Sequence, residues 1–351
     1  MQEQSGAARV QSGAHSLNNF DLLRLFAASS VMLLHLCDHL GYDVSTLRVF
    51  LDPFPGVPIF FVISGYLISK SWQRYPLWRQ YALNRVLRIF PALWVALAVS
   101  LTTVFAAGFV IDADPLKIWL WVAAQVSFAQ FVTPSFFEGF GTGILNGSLW
   151  TIPVELQFYC VLPLLLAWRP LIWSAGVVSI GACVLLVDKS MALPGGIVLP
   201  WQATLLPNLY MFAIGVLLAR HFEALRRILV GCAHWWLLAY IFAFVFARRF
   251  DVTVGTNHPN AAVMLLLAFL VISVAYTLPS LSTRLLRGND LSYGIYIYHM
   301  VVANYLLEVE VPSLWLAIAS TLLLAAASWW CVERPALALK NVSLNRATPA
   351  T

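Results

Sequence analysis

The stretch Phe20–Leu40 reads FDLLRLFAASSVMLLHLCDHL. A helix over it is long and apolar enough to cross a bilayer, which takes about 20 residues. Yet Arg24 stands near its start, and His35, Asp38 and His39 stand near its end. A charged side chain at a helix centre costs about 2.5–3.5 kcal/mol on insertion scales, so ionisable groups retained inside a span point to function. Arg24 and His35 are eleven residues apart. At about 1.5 Å and 100° per residue they lie about 16 Å apart along the axis and about 20° apart around it. One face therefore carries a guanidinium at one depth and an imidazole three turns further on.

The rest of the chain is written in the same way. Of 351 residues, 60% are hydrophobic and 11% charged, where a soluble globular protein has about 25% charged. Aromatic residues make up 14%, as expected for belts at the headgroups. Ten segments have spanning length and polarity: 18–40, 55–72, 89–111, 148–168, 170–187, 203–220, 234–250, 261–279, 292–309 and 313–332. An eleventh apolar segment, 116–132, reads as an interfacial or re-entrant helix. The expected fold is all-α, a polytopic membrane protein with about ten transmembrane helices.

The basic residues orient it. With the N-terminus cytoplasmic, inner loops and ends hold fifteen Lys and Arg, including Lys70, Arg74, Arg79, Arg85, Arg88, Arg226 and Arg227. Outer loops hold five: Arg48, Lys117, Lys189, Arg248 and Arg249. This bias places both termini in the cytoplasm and calls for an even number of crossings. The expected organisation is a cytoplasmic tail over 1–17, one membrane domain over 18–335 and a cytoplasmic tail over 336–351. No cleaved signal peptide and no soluble appendage are expected. The five cysteines are scattered, without a CxxC, and read as small apolar residues rather than metal or disulfide positions. A net charge of +5 follows from cytoplasmic Lys and Arg and gives no reason to invoke nucleic acid.

Further polar groups sit where apolar ones are expected. In FFVISGYL, residues 60–67, Ser64 and Gly65 allow close helix approach or exposure of backbone to a ligand. In YALNRVLRIFP, residues 81–91, Arg85 and Arg88 share a face ahead of a helix starting near Pro91. They suit a phosphate or serve as a positive-inside anchor. In GSLWTIPVELQFY, residues 147–159, Glu155 lies about 10 Å deep by helical rise and needs a partner or a task. In LSYGIYIYHM, residues 291–300, Tyr293, Tyr296 and His299 share a face. In WWCVERPAL the last span ends at Pro335, which cannot continue a helix. By depth, guanidiniums (Arg24, Arg85, Arg88) gather at the cytoplasmic end. His35, Ser64, Tyr66, Glu155 and His299 gather from mid-bilayer outward. A single channel lined in this order suits a long molecule with an anionic inner end and a reactive outer end, the shape of an acyl-CoA.

In this order the pieces DLLRLFAASSVMLLH, FFVISGYL, RVLRIFP, SLWTIPVELQFY, LSYGIYIYHM and ERP resemble the acyltransferase 3 family of multi-pass membrane acyltransferases. The likeness runs from residue 18 to about 335. Many members have Asp-Gly-Leu-Arg where this chain has Asp21-Leu22-Leu23-Arg24. The resemblance implies about ten helices, a cytoplasmic acyl-CoA donor, usually acetyl-CoA, and a hydroxyl acceptor, usually on a carbohydrate or envelope glycan, at the outer face of a bacterial inner membrane. It also implies that Arg24 and His35 are the essential pair. Arg24, Arg85, Arg88, Ser64 and Tyr66 are then expected on the donor. Glu155, Trp150, Tyr293, His299 and Asp38 are expected on the acceptor side, with Asp38 also placed to orient His35. No metal is expected. His35 as general base and His35 as acyl carrier are both open, and a transporter or flippase of an acylated or glycan-linked substrate is the rival class.

Overall fold

The computed structural model describes residues 18–74, 76–188, 203–250, 252 and 257–347. The tail 1–17, Lys189 and residues 348–351 lie outside them. Every regular element among the described residues is helical. In chain order they are α1 Phe20–His39, α2 Ser45–Leu51, α3 Gly56–Arg74, α4 Trp78–Ala106, α5 Pro115–Val126, α6 Thr151–Ala167 and α7 Arg169–Ala182. There follow α8 Leu209–Arg220, α9 Phe222–Leu229, α10 Ala233–Arg249, α11 Ala261–Tyr276, α12 Leu281–Leu286, α13 Ser292–Glu308, α14 Leu314–Ser328 and α15 Arg334–Ala347.

Among the described residues, five helical stretches are long and apolar enough to span a membrane: Phe20–His39, Ser45–Arg74, Trp78–Ala106, Gly147–Ala167 and Leu314–Lys340. The pair α9–α10, bent by 88°, makes a sixth if counted as one span. The stretches Pro170–Leu185, Leu209–Arg220 and Ala261–Tyr276 are apolar but shorter. The protein is thus an all-α membrane protein, with five or six helices of full spanning length among the described residues, where the sequence reading counts ten spans. The segment at 116–132 forms α5, only 12 residues long.

Two prolines behave differently from the sequence reading. Pro91 does not open a helix; it lies inside the 29-residue α4. A proline there removes one backbone hydrogen bond, which neighbouring helices and side chains can make up in a membrane protein. Arg85 and Arg88 are therefore within a continuous helix, not ahead of one. At the C-terminal end, Pro335 does not stop the chain either. A π-helical turn at Trp329–Glu333 leads without a break into α15, and Pro335 sits just beyond it, where the wider turn accommodates a residue that cannot donate.

The bundle around the site is drawn tight by small residues. A Cβ on Gly65 would stand 2.2 Å from the Phe212 carbonyl oxygen, and one on Gly215 2.3 Å from that of Val62. So α3 and α8 meet backbone to backbone, and this is the use of the glycine in SGY. The start of α1 is fastened across the molecule: Asn19 Nδ2 donates to the Thr277 carbonyl at 2.6 Å, and its Oδ1 accepts from Ser282 N at 3.0 Å. On the opposite end, the connection before α6 has its own apolar cluster of Val104, Trp121, Phe137, Phe140 and Leu145. It is laced to α13 by buried Asn304, which receives Thr142 N at 2.8 Å and donates to the Ile144 and Leu145 carbonyls at 2.9 Å. The long connection between α5 and α6 thus caps α13.

Candidate functional site

α1, α3, α4, α6, α13 and α15 enclose a cavity of about 330 Å³, within the size range of small-molecule sites. Arg24, Arg85, Arg88 and Lys340 line one end. Ser292 stands with them, and Ser64, Glu155, Tyr159 and Tyr293 also line the cavity. Val57, Phe60, Thr151, Ile152 and Tyr296 line the other end.

The guanidinium end is built around a carboxylate that the sequence reading missed. Asp290, buried just before α13, accepts from Arg88 at 2.6 Å and lies 3.5 Å from Arg24. Burial pushes its carboxyl up, but Arg88, then Arg24 and the Ser292 hydroxyl, outweigh this and hold it well below the usual carboxylate range. Arg24 also pairs with Asp21 one turn earlier. Arg85 has no carboxylate within 4 Å among the described residues; its guanidinium lies 5.6 Å from the Tyr159 ring centroid. The Nε atoms of Arg24 and Arg85 are buried without a hydrogen-bond partner. A ligand anion would satisfy donors of this kind. The one signal that could have found Asp290 is its place one residue ahead of the LSYGIYIYHM motif.

Glu155 accepts from Ser64 Oγ at 2.7 Å and from the Tyr159 hydroxyl. The carboxylate thus has the partner that its depth requires, and it faces the cavity. Tyr293 also faces the cavity, while its hydroxyl donates to the Ile89 carbonyl at 3.0 Å. Tyr66 does not. Two residues on, it is turned about 200° from Ser64. It is buried against Phe20, Phe222 and Tyr276, with its hydroxyl 2.9 Å from that of Tyr276. Its expected place beside Ser64 on the donor is corrected by helical geometry.

Beyond the far end of the cavity lies an imidazole pair. His35 Nδ1 is 3.0 Å from His299 Nε2, and His299 Nδ1 is 3.1 Å from the Ile295 carbonyl oxygen. A carbonyl only accepts, so His299 Nδ1 carries a proton. In a neutral ring its Nε2 is then a lone pair, and His35 Nδ1 must donate to it. This leaves His35 Nε2 as the unprotonated atom. His299 is fully buried behind His35, so it backs that ring rather than facing a substrate. Asp38 does not orient His35: it is exposed and paired with Arg48 of α2. His39 is also exposed, its ring centroid 5.9 Å from that of His35. Trp150 is half-buried beside the site and stacks on His258 at 6.4 Å. Burial lowers the His258 imidazole, which lies in the α10–α11 connection, to about 4, so it is neutral at pH 7.

His35 is not among the residues that line the cavity, so the expected single open channel is interrupted. The Tyr296 ring stands 6.1 Å from the His299 ring and 5.7 Å from that of Phe60. Tyr296 is fixed: its hydroxyl donates to the Ser148 carbonyl at 2.8 Å and meets Thr151 Oγ1 at 2.8 Å. The Phe60 and Tyr296 rings, which line the cavity, thus form an aromatic layer next to the His pair. No group of three or more His, Cys, Asp or Glu with metal-binding geometry occurs among the described residues.

Comparison with known proteins identifies the family. Residues 17–333 match the family model described as an acyltransferase domain. The chain is 36% identical to Nodulation protein 10 of Rhizobium leguminosarum bv. viciae, over 96% of this chain and 97% of that protein. It is 27% identical to the O-acetyl transferase of Shigella phage Sf6, over 94% and 99%. It is 30% identical to the peptidoglycan O-acetyltransferase OatA of Listeria monocytogenes over 31% of this chain and 19% of that protein. No solved structure matches.

Proposed function

The chain belongs to this acyltransferase family and is a membrane-embedded acyltransferase, and from that premise we propose that it moves an acetyl group from cytoplasmic acetyl-CoA to a hydroxyl of a carbohydrate or envelope glycan at the outer face of a bacterial inner membrane. The observation that carries this reading is the pairing of a cation-lined cavity with an imidazole pair one aromatic layer beyond it. Arg24, Arg85 and Arg88 hold the phosphates of the donor, with Asp290 fixing the first and last of these side chains. The donor arm runs past Ser64, Glu155 and Tyr293 toward Tyr296. The acceptor enters from the end capped by the outer connection, near Trp150 and Asp38.

His35 Nε2 takes the proton of the acceptor hydroxyl as that oxygen bonds to the thioester carbonyl carbon. The carbon–sulfur bond then breaks, and the imidazolium returns the proton to the departing thiolate. The His299 hydrogen bond supports this assignment, since it leaves the lone pair on the outer atom of His35. For the thioester and the imidazole to meet, Phe60 must turn aside, because Tyr296 is held by two hydrogen bonds. Arg24 secures the donor and is essential for that reason.

Purified protein in detergent, given acetyl-CoA and a glycan acceptor, tests this. Thiol release coupled one-to-one to acetylated acceptor is expected, and it is lost in His35→Ala. Movement of a glycan across vesicles with no thiol release would instead support the transporter reading.

A further inference from the structure

We propose that a second, apolar groove at the Arg24 end of the bundle binds one anionic phospholipid, with an acyl chain lying against α1 and the headgroup phosphate held by Arg284. The groove measures about 400 Å³ and is separate from the donor cavity. Leu22, Leu23 and Phe26 of α1, Ala233 at the start of α10, and Leu278 and Leu281 line it. Phe26, Leu278 and Leu281 are exposed. The polar residues that line it, Asn19 and Thr277, are already engaged. Asn19 donates to the Thr277 carbonyl and accepts from Ser282 N, and the Thr277 hydroxyl donates to the Ser273 carbonyl at 2.8 Å. Such a lining suits a hydrocarbon chain and disfavours a sugar or a nucleotide, whose polar groups would go unpaired. Leu22 and Phe26 stand about 200° around α1 from Arg24, so the lipid braces α1 on the side away from the donor cavity.

A chain alone gains little by leaving the bilayer for the groove, because lipid tails are as apolar as leucine. Charge at the rim supplies the preference. Arg284 follows Leu281 by three residues and so shares its face of α12. It is exposed and makes no ion pair among the described residues. On the Ala233 side, α9 is set at 88° to α10, so it runs across the direction in which α10 spans. Its Phe222 and Leu229 are buried, while Arg226 and Arg227 are exposed. Glu223, 3.8 Å from Arg226, is the acidic residue of α9. Three arginines against one glutamate leave the rim positive. Basic residues between helices at a membrane surface hold anionic headgroups, with the phosphate accepting from the guanidinium. A zwitterionic headgroup brings an ammonium to the same arginines and loses much of that gain.

Native mass spectrometry of the full-length protein in detergent, titrated with dioleoylphosphatidylglycerol or dioleoylphosphatidylcholine, tests this. The first phosphatidylglycerol should bind about tenfold more tightly than the first phosphatidylcholine, as expected when more than one arginine meets the headgroup. Arg284→Gln should weaken phosphatidylglycerol about fivefold, the worth of one arginine at a membrane surface, and leave phosphatidylcholine unchanged. Leu281→Trp, which fills the groove, should weaken both lipids. Arg249→Gln, at the other end of α10, should change neither. Equal affinity of the unaltered protein for the two lipids would overturn the proposal. So would an unchanged Kd for phosphatidylglycerol in Arg284→Gln, equal weakening of both lipids by that variant, or unchanged binding of both by Leu281→Trp. A loss in Arg249→Gln as large as that in Arg284→Gln would also overturn it, since any surface arginine would then suffice. If Leu281→Trp does not fold, the comparison of Arg284→Gln with Arg249→Gln still decides.

Discussion

His35 can act as a base only if its outer nitrogen is free of a proton, and His299 provides for that. His299→Gln keeps a side-chain oxygen able to accept from His35 Nδ1, so kcat should fall less than tenfold. His299→Phe keeps ring size but removes the acceptor, and kcat should fall by about 10²–10⁴, the usual worth of general-base catalysis. KM for acetyl-CoA should be unmoved in both variants; a matching loss in the two would mean that His299 matters only as packing. Asp290 works at the other end. Its carboxyl is held below the normal range, so its contribution to stability is complete at neutral pH and is lost only as pH falls below about 4. Asp290→Asn therefore removes that contribution at pH 7 and leaves two partly buried guanidiniums short of a partner, costing about 3 kcal/mol. Thermal unfolding in detergent should shift down, and added acetyl-CoA should recover part of the shift. The 3.6-residue period already places Arg24 and His35 on one face. The meeting of His35 with His299 is not legible in the same way. It spans 264 positions and depends on how two helices pack.

At the scale of elements, the motifs were more readable than their boundaries. SGY marks a close helix contact, and Gly65 stands against α8. Gly65→Ala should force α3 and α8 apart, lowering the yield of folded protein and its melting temperature while leaving every cavity residue in the sequence. Pro91 and Pro335 read as helix ends and are not. Membrane helices tolerate proline where neighbours make up the lost bond, and a π-helical turn carries the chain past Glu333. The sequence reading takes the runs 203–220 and 261–279 whole, while their helices begin at Leu209 and end at Tyr276. The aromatic layer of Phe60 and Tyr296 had no counterpart in the sequence reading. Phe60→Ala should open the path between the cavity and His35 and raise thioester hydrolysis in the absence of acceptor, measured as free thiol. Unchanged hydrolysis together with unchanged transfer would show that Phe60 does not control passage.

For the whole molecule, composition points to a membrane protein, its helix-length apolar segments to an all-α one, and its ordered motifs to the family. What joins the parts is direction. Cations gather at one end of α1 and the free imidazole nitrogen at the other, so donor and acceptor should approach from opposite sides of the bilayer. Sealed proteoliposomes with the protein in one known orientation measure this most directly. Acetyl-CoA is supplied only on the Arg24 side and a glycan acceptor only on the His35 side. Acetylated glycan should accumulate on the His35 side and free CoA on the Arg24 side, with neither formed by His35→Ala. Product that appears only when both substrates share one side would contradict the account.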